Sequence, residues 1–536
     1  MSQAGQNRGW PRKSFSCGTA GPLSAVVLAA LVVARLVIGA AATAGPPNQG
    51  QAAQAEKQVS GPVLVPGAGF TEPTPSPADR GTGDDAETKV IARWDVVPYQ
   101  TFDTQMQIGI VAFHSAGIEK VSFSANGGAW IDVPQPTRNS ETKVVEYWVT
   151  VRAADFPDGL LEVRAIATPR TGRSRVLQGD IPFVTTSNTE TTNGEHSLWL
   201  FANSKNSFVP ATFYVAGTSG SESAAGTSEQ PVKTLGKALT LAGGARGGRV
   251  VIVEAGQYRP DRATLPIVQN ERWIVVEPAP GLDRSQVEIA GDGQNDRLQP
   301  RVGRIHWRNL TFRPDTYSYI NESSATRGAN QWYDACLIKA EMLEPRDVPP
   351  WRSNVWATDC RVENFAYGVV NALLARNCVV KDALDAYQRS QAVIQCEVES
   401  MRMKALAHQH HPDVYQTWGE MQNIVVYGLK GEDIDGTQVL FINQPIKEGA
   451  TMTDAAFVDW DVFTDDPRGG PPFTQFQGVL NNVLFQNVKV PRQRFLFRTE
   501  AKMGLNALRA SQVVFDDCEF GNGLGAGDLP PGITVR

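Results

Sequence analysis

Cysteine is scarce in this chain, at six residues in 536, and so is histidine, also six. Cys17 falls in an N-terminal segment with the marks of an export signal. That leaves Cys336, Cys360, Cys378, Cys396 and Cys518, an odd number that argues against a complete disulfide framework. No charge of one sign dominates. The formal net charge is −6, small for this length, so composition gives no basic face for nucleic acid. Past the N-terminus no stretch is long and apolar enough to span a bilayer. What is present is ordinary for a globular protein, with 42% hydrophobic and 20% charged residues, enough to bury a large core. The 49 glycines and 34 prolines suit a turn-rich, mostly β chain.

Residues 1–44 read as a signal peptide. Arg8, Arg12 and Lys13 form a positive region, Leu23 to Val33 and Leu36 to Ala42 an apolar one, and Ala42-Thr43-Ala44 a small-residue cleavage site. The alternative is a retained anchor, which Arg35 inside the apolar run opposes. With the signal removed, the protein is expected to be secreted, periplasmic or at the cell surface, with no membrane segment. Residues 45–87, rich in Pro, Gly, Ala and Gln, read as a disordered linker. Residues 88–186 show short alternating runs such as Val145 to Val151 and Leu161 to Ala167, with turn chemistry at Asn126-Gly127-Gly128 and Pro157-Asp158-Gly159. They predict a small β-sandwich. Ile118 to Phe123 with Asn126-Gly127-Gly128 resembles the bacterial immunoglobulin-like modules of secreted proteins, which implies a spacer or docking role.

From residue 196 to 536 an internal repeat takes over. Ala357 to Asn364, Ala375 to Asp382 and Val393 to Ser400 align, each with a cysteine at its centre. The spacing is 18 twice over (378 − 360 and 396 − 378). Similar units stand at Arg308 to Phe312, Tyr427 to Gly431, Gln486 to Val490 and Asp516 to Phe520. Each has a polar residue, then an inward apolar one. The pattern predicts a coil adding one strand to each of several parallel sheets per turn, with cysteines stacked inside as small hydrophobes. Crossover bias makes it right-handed. Leu235, Leu239 and Ala242 recur at helical spacing and predict a short helix capping the open end.

The opening of this region, Phe213-Tyr214-Val215, a Gly/Ser-rich loop, Pro231-Val232-Lys233-Thr234-Leu235, then Arg249 to Val253 and Gly256-Gln257-Tyr258, resembles that of the pectate-lyase-like superfamily of right-handed parallel β-helices. The resemblance implies a carbohydrate-active protein, a polysaccharide lyase or glycoside hydrolase acting on an extracellular polymer. The alternative is a non-catalytic glycan-binding or adhesion protein on the same fold. The turn after Cys396 is longer than 18 residues and holds three of the six histidines. His408, His410, His411 and Asp413 are therefore the candidate acid–base groups, with Asp382, Asp385 and Lys381 on the preceding turn as electrostatic partners. Gln416, Trp418, Tyr387 and Arg389 are the expected substrate-binding residues. His411-Pro412-Asp413-x-x-Gln416 is similar to His-x-Asp-x-x-Gln segments of the superfamily. The Asn-x-Asp, Asp-Asp and Gly-His-Gly series of polygalacturonases is absent, as is the Arg-x-Pro-x-x-Arg segment of pectate lyases. Ca²⁺ is the one cofactor suggested, by the acidic turns Glu432-Asp433-x-Asp435-Gly436 and Asp459, Asp461, Asp465 and Asp466, which are otherwise plain turns. Tyr317, Tyr319, Trp332, Tyr333 and Trp351 are either sugar-stacking faces or loop packing.

Overall fold

Asp359, Asn364 and Asn371 have φ of 53°, 65° and 53°. Left-handed backbone is costly for most L-residues, and Asn and Asp tolerate it best. These three residues are the corners of one coil, and short strands of three to five residues run between them. Asn377, Asp382 and Arg389 repeat the same three corners one turn later, at φ of 52°, 55° and 47°. Residues 18 apart thereby become vertical neighbours, as Asn377 and Asp359 do through a 3.3 Å side-chain hydrogen bond. The computed structural model describes residues 61–66, 88–181, 194–244, 247–259, 272–290, 304–313, 331–340, 355–401, 412–434, 438–443, 451–464, 474–477, 479–491, 509–521 and 531–536. All of them lie in one compact unit, 58–536.

Among these residues the solenoid starts at Ala211–Val215 and ends at Ile533–Val535, with every strand pairing parallel. It is a parallel β-helix. Two faces are continuous around the first corner and count as one 22-stranded sheet. The third face has five strands, from Tyr367–Val370 to Thr474–Gln477. The long strands Thr451–Thr464 and Val479–Val490 run through the first corner without a break. The helix α1 (Leu235–Gly244) forms where its period predicts, and buries Leu235, Ala238, Leu239 and Ala242 against the first strands.

Cys336, Cys360, Cys378 and Cys396 are buried, free, and each follows the first corner directly. The register places them in one interior row. Each thiol also donates to the carbonyl two residues before it, for example Cys360 to Thr358 at 3.3 Å and Cys396 to Ile394 at 3.4 Å. The thiol thus adds a weak donor at the sharpest bend of the backbone. Burial pushes the Cys360 and Cys396 thiols up, away from the reactive thiolate. Farther along, Phe457, Phe485 and Phe515 stack in the interior with ring centroids 4.9 and 4.5 Å apart.

Two sheets with a shared core, antiparallel except for the parallel pairing of Leu198–Ala202 with Thr101–Phe102, form the N-terminal sandwich. Asn126 and Gly127 take the positive φ, 44° and 72°, that the hairpin needs. Leu198–Ala202 pairs antiparallel with Gly159–Pro169, so the sandwich reaches past the boundary expected at 196. Residues 61–66 likewise depart from the disorder expected over 45–87. The Leu64 N–H donates to the Thr150 carbonyl at 2.9 Å, and the Leu64 side chain is fully buried in the sandwich core.

The sandwich lies along the outer side of the solenoid's first face. Asn423, Asp454, Asn482 and Gln512 interrupt successive strands there with φ of 52° to 57°. Three of them clamp the sandwich. The Asn423 amide donates to the Ala92 carbonyl at 2.8 Å and accepts from the Ala92 N–H at 3.2 Å. Arg175, fully buried, bonds Asp454 at 2.5 Å, and Asn482 donates to the Lys89 carbonyl at 2.7 Å.

Candidate functional site

Alternation along each strand of the first face sends every second side chain outward, and stacking aligns these into rows. One row runs Arg249, Val275, His306, Trp332, Trp356 and Leu374. It continues through Ala392, Val425, Ala456, Leu484 and Val514. From Trp356 onward the row is apolar and buried against Ile91, Val97, Val111 and Val144 of the sandwich. At its other end the row turns polar, and there the sandwich and solenoid part around a cleft of about 570 Å³. That volume is in the usual range for a small-ligand site.

Trp273 and Trp332 form the floor, with His306 lying flat on Trp332, ring centroids 3.6 Å apart and 7° from parallel. His306 Nε2 is 3.1 Å from Asp334 Oδ2, and Thr358 Oγ1 donates to Asp334 Oδ1 at 2.7 Å. Burial lowers the His306 pKa, so the ring is neutral near pH 7. Burial opposes ionisation of Asp334, but the hydrogen bonds from His306 and Thr358 outweigh it and hold the carboxyl below its usual range. An ionised Asp334 needs a donor, so Nε2 carries the imidazole proton and Nδ1 is the ring's acceptor. Beside this pair, Glu277 is buried and held by both Arg249 and Arg308. Arg272 lies over the rings of Phe201 and Phe208, 4.2 Å from each centroid. From the sandwich side Thr101 and Asp103 complete the wall, with Asn206 and Phe208 from the connecting segment.

The residues expected to act divide among three places. His408, His410 and His411 lie outside the described residues, as do Asp435, Asp465 and Asp466. Lys381 and Asp382 are on the second face and its corner. The Lys381 ammonium is 3.8 Å from Glu399, and Asp382 accepts from Ser400 at 2.7 Å. The third face brings the others together. Asp385, Asp413 and Gln438 stand in register, as do Gln388 and Gln416. Gln388 Nε2 donates to Asp385 Oδ2 at 2.5 Å and to Gln416 Oε1 at 2.7 Å, and the Asp413 N–H donates to Asp385 Oδ1 at 2.9 Å.

This wall is closed. Asp413 is 0% exposed, Asp385 5% and Arg389 3%. Tyr387, expected to hold substrate, is a core residue whose hydroxyl donates to the Cys378 carbonyl at 3.0 Å. Of Trp418 only the backbone is described, in strand Asp413–Trp418. Tyr333 is likewise in the core, whereas Trp332 reaches the cleft floor. Asp459 is a corner residue accepting from Asn487 at 2.7 Å, and among the described residues no three His, Cys, Asp or Glu side chains are grouped to hold a metal.

Sequence reasoning did not single out His306, Glu277 or Asp334. The usable signal was the row position. Arg308, Asp334 and Thr358 each stand immediately before a first-corner residue, so extending the cysteine alignment backwards would have placed them outside and in line.

No protein-family model matches the chain, and no curated protein matches its sequence. Among solved structures it is similar to the catalytic unit of a thermostable GH87 α-1,3-glucanase from Streptomyces thermodiastaticus. The identity is 12% and the TM-score 0.25, over 83% of this chain and 87% of that one.

Proposed function

We propose that this chain is an exported, carbohydrate-active β-helix protein that holds an extracellular polysaccharide in the cleft between its sandwich and the first turns of its solenoid. One observation carries the reading. The outer row is apolar and buried from Trp356 onward beneath the sandwich, whereas where the cover lifts it carries Arg249 and His306, so the opening coincides with hydrogen-bonding side chains over an aromatic floor. That combination suits sugar rings, which carry hydroxyls at the rim and C–H groups on the face. The test is retention of the full chain on neutral and uronic polysaccharide gels, with and without Ca²⁺, beside a Val275→Trp variant that fills the cleft. Retention of the natural chain at least about tenfold stronger than that of the variant is expected. Equal retention, or none, overturns the reading.

A further inference from the structure

Six ionisable side chains of opposite sign line the cleft: Arg249, Arg272 and Arg308, and Asp103, Glu277 and Asp334. The three cations balance the three anions. Two of the cations, Arg249 and Arg308, are directed at the two oxygens of the Glu277 carboxylate. The third, Arg272, lies across Phe201 and Phe208. A carboxylate or sulfate entering the cleft would compete with Glu277 for its guanidinium partners and would face Asp103 and Asp334 at close range. A cation would meet three arginines. The neutral imidazole of His306 adds no charge and offers Nδ1 as an acceptor.

Burying a carboxylate between two arginines gives little net stability compared with an apolar filling. The outer row that holds Arg308 and Asp334 runs on through Thr358 and Arg376 before it turns apolar at Ile394, Tyr427 and Val458. At the cleft, the Glu277 cluster presents fixed donors and acceptors whose charges cancel.

We infer that the cleft takes an uncharged saccharide, a neutral glycan unit recognised through its hydroxyl groups, and rejects uronic or sulfated sugars. This rests on the carbohydrate reading of the cleft above and narrows it. Hydroxyls pair with carboxylates and guanidinium groups alike, each as donor or acceptor, so a balanced set of fixed charges suits a polyol better than an ion of either sign.

The experiment titrates the full chain with neutral tri- and tetrasaccharides of glucose, xylose, mannose and galactose, and with oligogalacturonate of equal length. Calorimetry and the fluorescence of the floor tryptophans serve as readouts. Neutral ligands are expected to bind with little dependence on salt, and oligogalacturonate at least about tenfold more weakly, because like charges juxtaposed at a site are penalised. Asp103→Asn, at an exposed position on the rim, leaves the cleft one positive charge in excess and is expected to raise the affinity for oligogalacturonate severalfold relative to that for the neutral ligands. Glu277→Gln should move selectivity the same way, and circular dichroism reports whether it folds. Tighter, salt-dependent binding of oligogalacturonate to the natural chain, blocked by Val275→Trp, overturns the charge inference and leaves the carbohydrate reading standing. Binding of neither class, or binding indifferent to Val275→Trp, overturns both.

Discussion

At the residue scale, the first corner sets the geometry of every turn, and its occupants differ in how well they suit it. Asn309, Asp359, Asn377, Asp459, Asn487 and Asp517 hold positive φ with side chains that tolerate it, and Gly428 (φ 69°) lacks the Cβ that resists it. Ala335 (φ 52°) has neither advantage. Ala335→Gly is expected to stabilise the protein by about 0.5–1 kcal/mol, read as a higher denaturation midpoint, because the folded strain removed exceeds the added freedom of the unfolded chain. An unchanged or lower midpoint would show that this corner carries no strain. The corners also explain what could be read from sequence. Cys360, Cys378 and Cys396 announced the fold because two consecutive turns carry no insertion. Cys336 and Cys518 occupy the same interior row, but longer intervening turns hid their period. Tyr387 was misplaced because a single residue's side is ambiguous next to a corner, where Arg389 breaks the alternation.

At the element scale, the sandwich meets the solenoid through charged groups sealed from water. Asp95 and Glu146 are both buried, with Arg376 donating to the Asp95 carbonyl at 2.7 Å and Thr142 to Glu146 at 2.7 Å. Gly109 makes room for the Glu146 carboxylate, since a Cβ there would lie 1.8 Å from Oε2. Burial first, and for Glu146 the neighbouring Asp95 charge, raises both carboxyl pKa values, Glu146 well above its ordinary 4.5, while Arg376 opposes the shift. A raised folded pKa means the native state prefers the proton. The contribution is present in full below the ordinary carboxylate range and is lost as pH climbs through the raised folded value. Stability to denaturant should therefore fall as pH rises above about 4.5, at up to about 1.4 kcal/mol per pH unit for a proton that the folded chain keeps and the unfolded chain has lost. Glu146→Gln should flatten that slope. A natural chain as flat as the variant would mean that Arg376 neutralises the pair completely. None of this cluster was legible beforehand. Asp95 follows strand Ile91–Trp94, while Glu146 and Arg376 lie in strands of the sandwich and of the solenoid, and nothing in local spacing joins them. The cleft escaped for the same reason, since Asp103, Asn206 and His306 meet only after both folds have formed.

At the scale of the whole molecule, the sandwich covers an apolar stripe that the solenoid cannot hide by itself. Trp356, Leu374, Val425, Leu484 and Val514 form one outer row, and Phe113 meets Tyr427 edge-on with centroids 5.2 Å apart. A chain beginning at residue 204 should expose this stripe. It is expected to bind an apolar dye severalfold more strongly than the full chain and to associate in light scattering, as exposed contiguous apolar patches do. A monodisperse, dye-silent solenoid would show that the stripe closes over without its cover. The repeat made the solenoid legible and the alternating runs made the sandwich legible, but their union depends on Asn423, Asp454 and Asn482, which look in sequence like any other polar residues within strands.

The spacing of those clamps has a further consequence. The sandwich grips Asn377 through the Thr142 carbonyl at 3.1 Å, then Asn423, Asp454 and Asn482 on later storeys. A solenoid alone is indifferent to its number of storeys, since any 18-residue unit rejoins its neighbours at the same corners. Inserting or deleting one between Asn377 and Asn482 would slide the upper grips by about 4.8 Å relative to the lower. The rigid partner therefore works as a ruler, fixing the length of an otherwise open-ended coil over the span it touches.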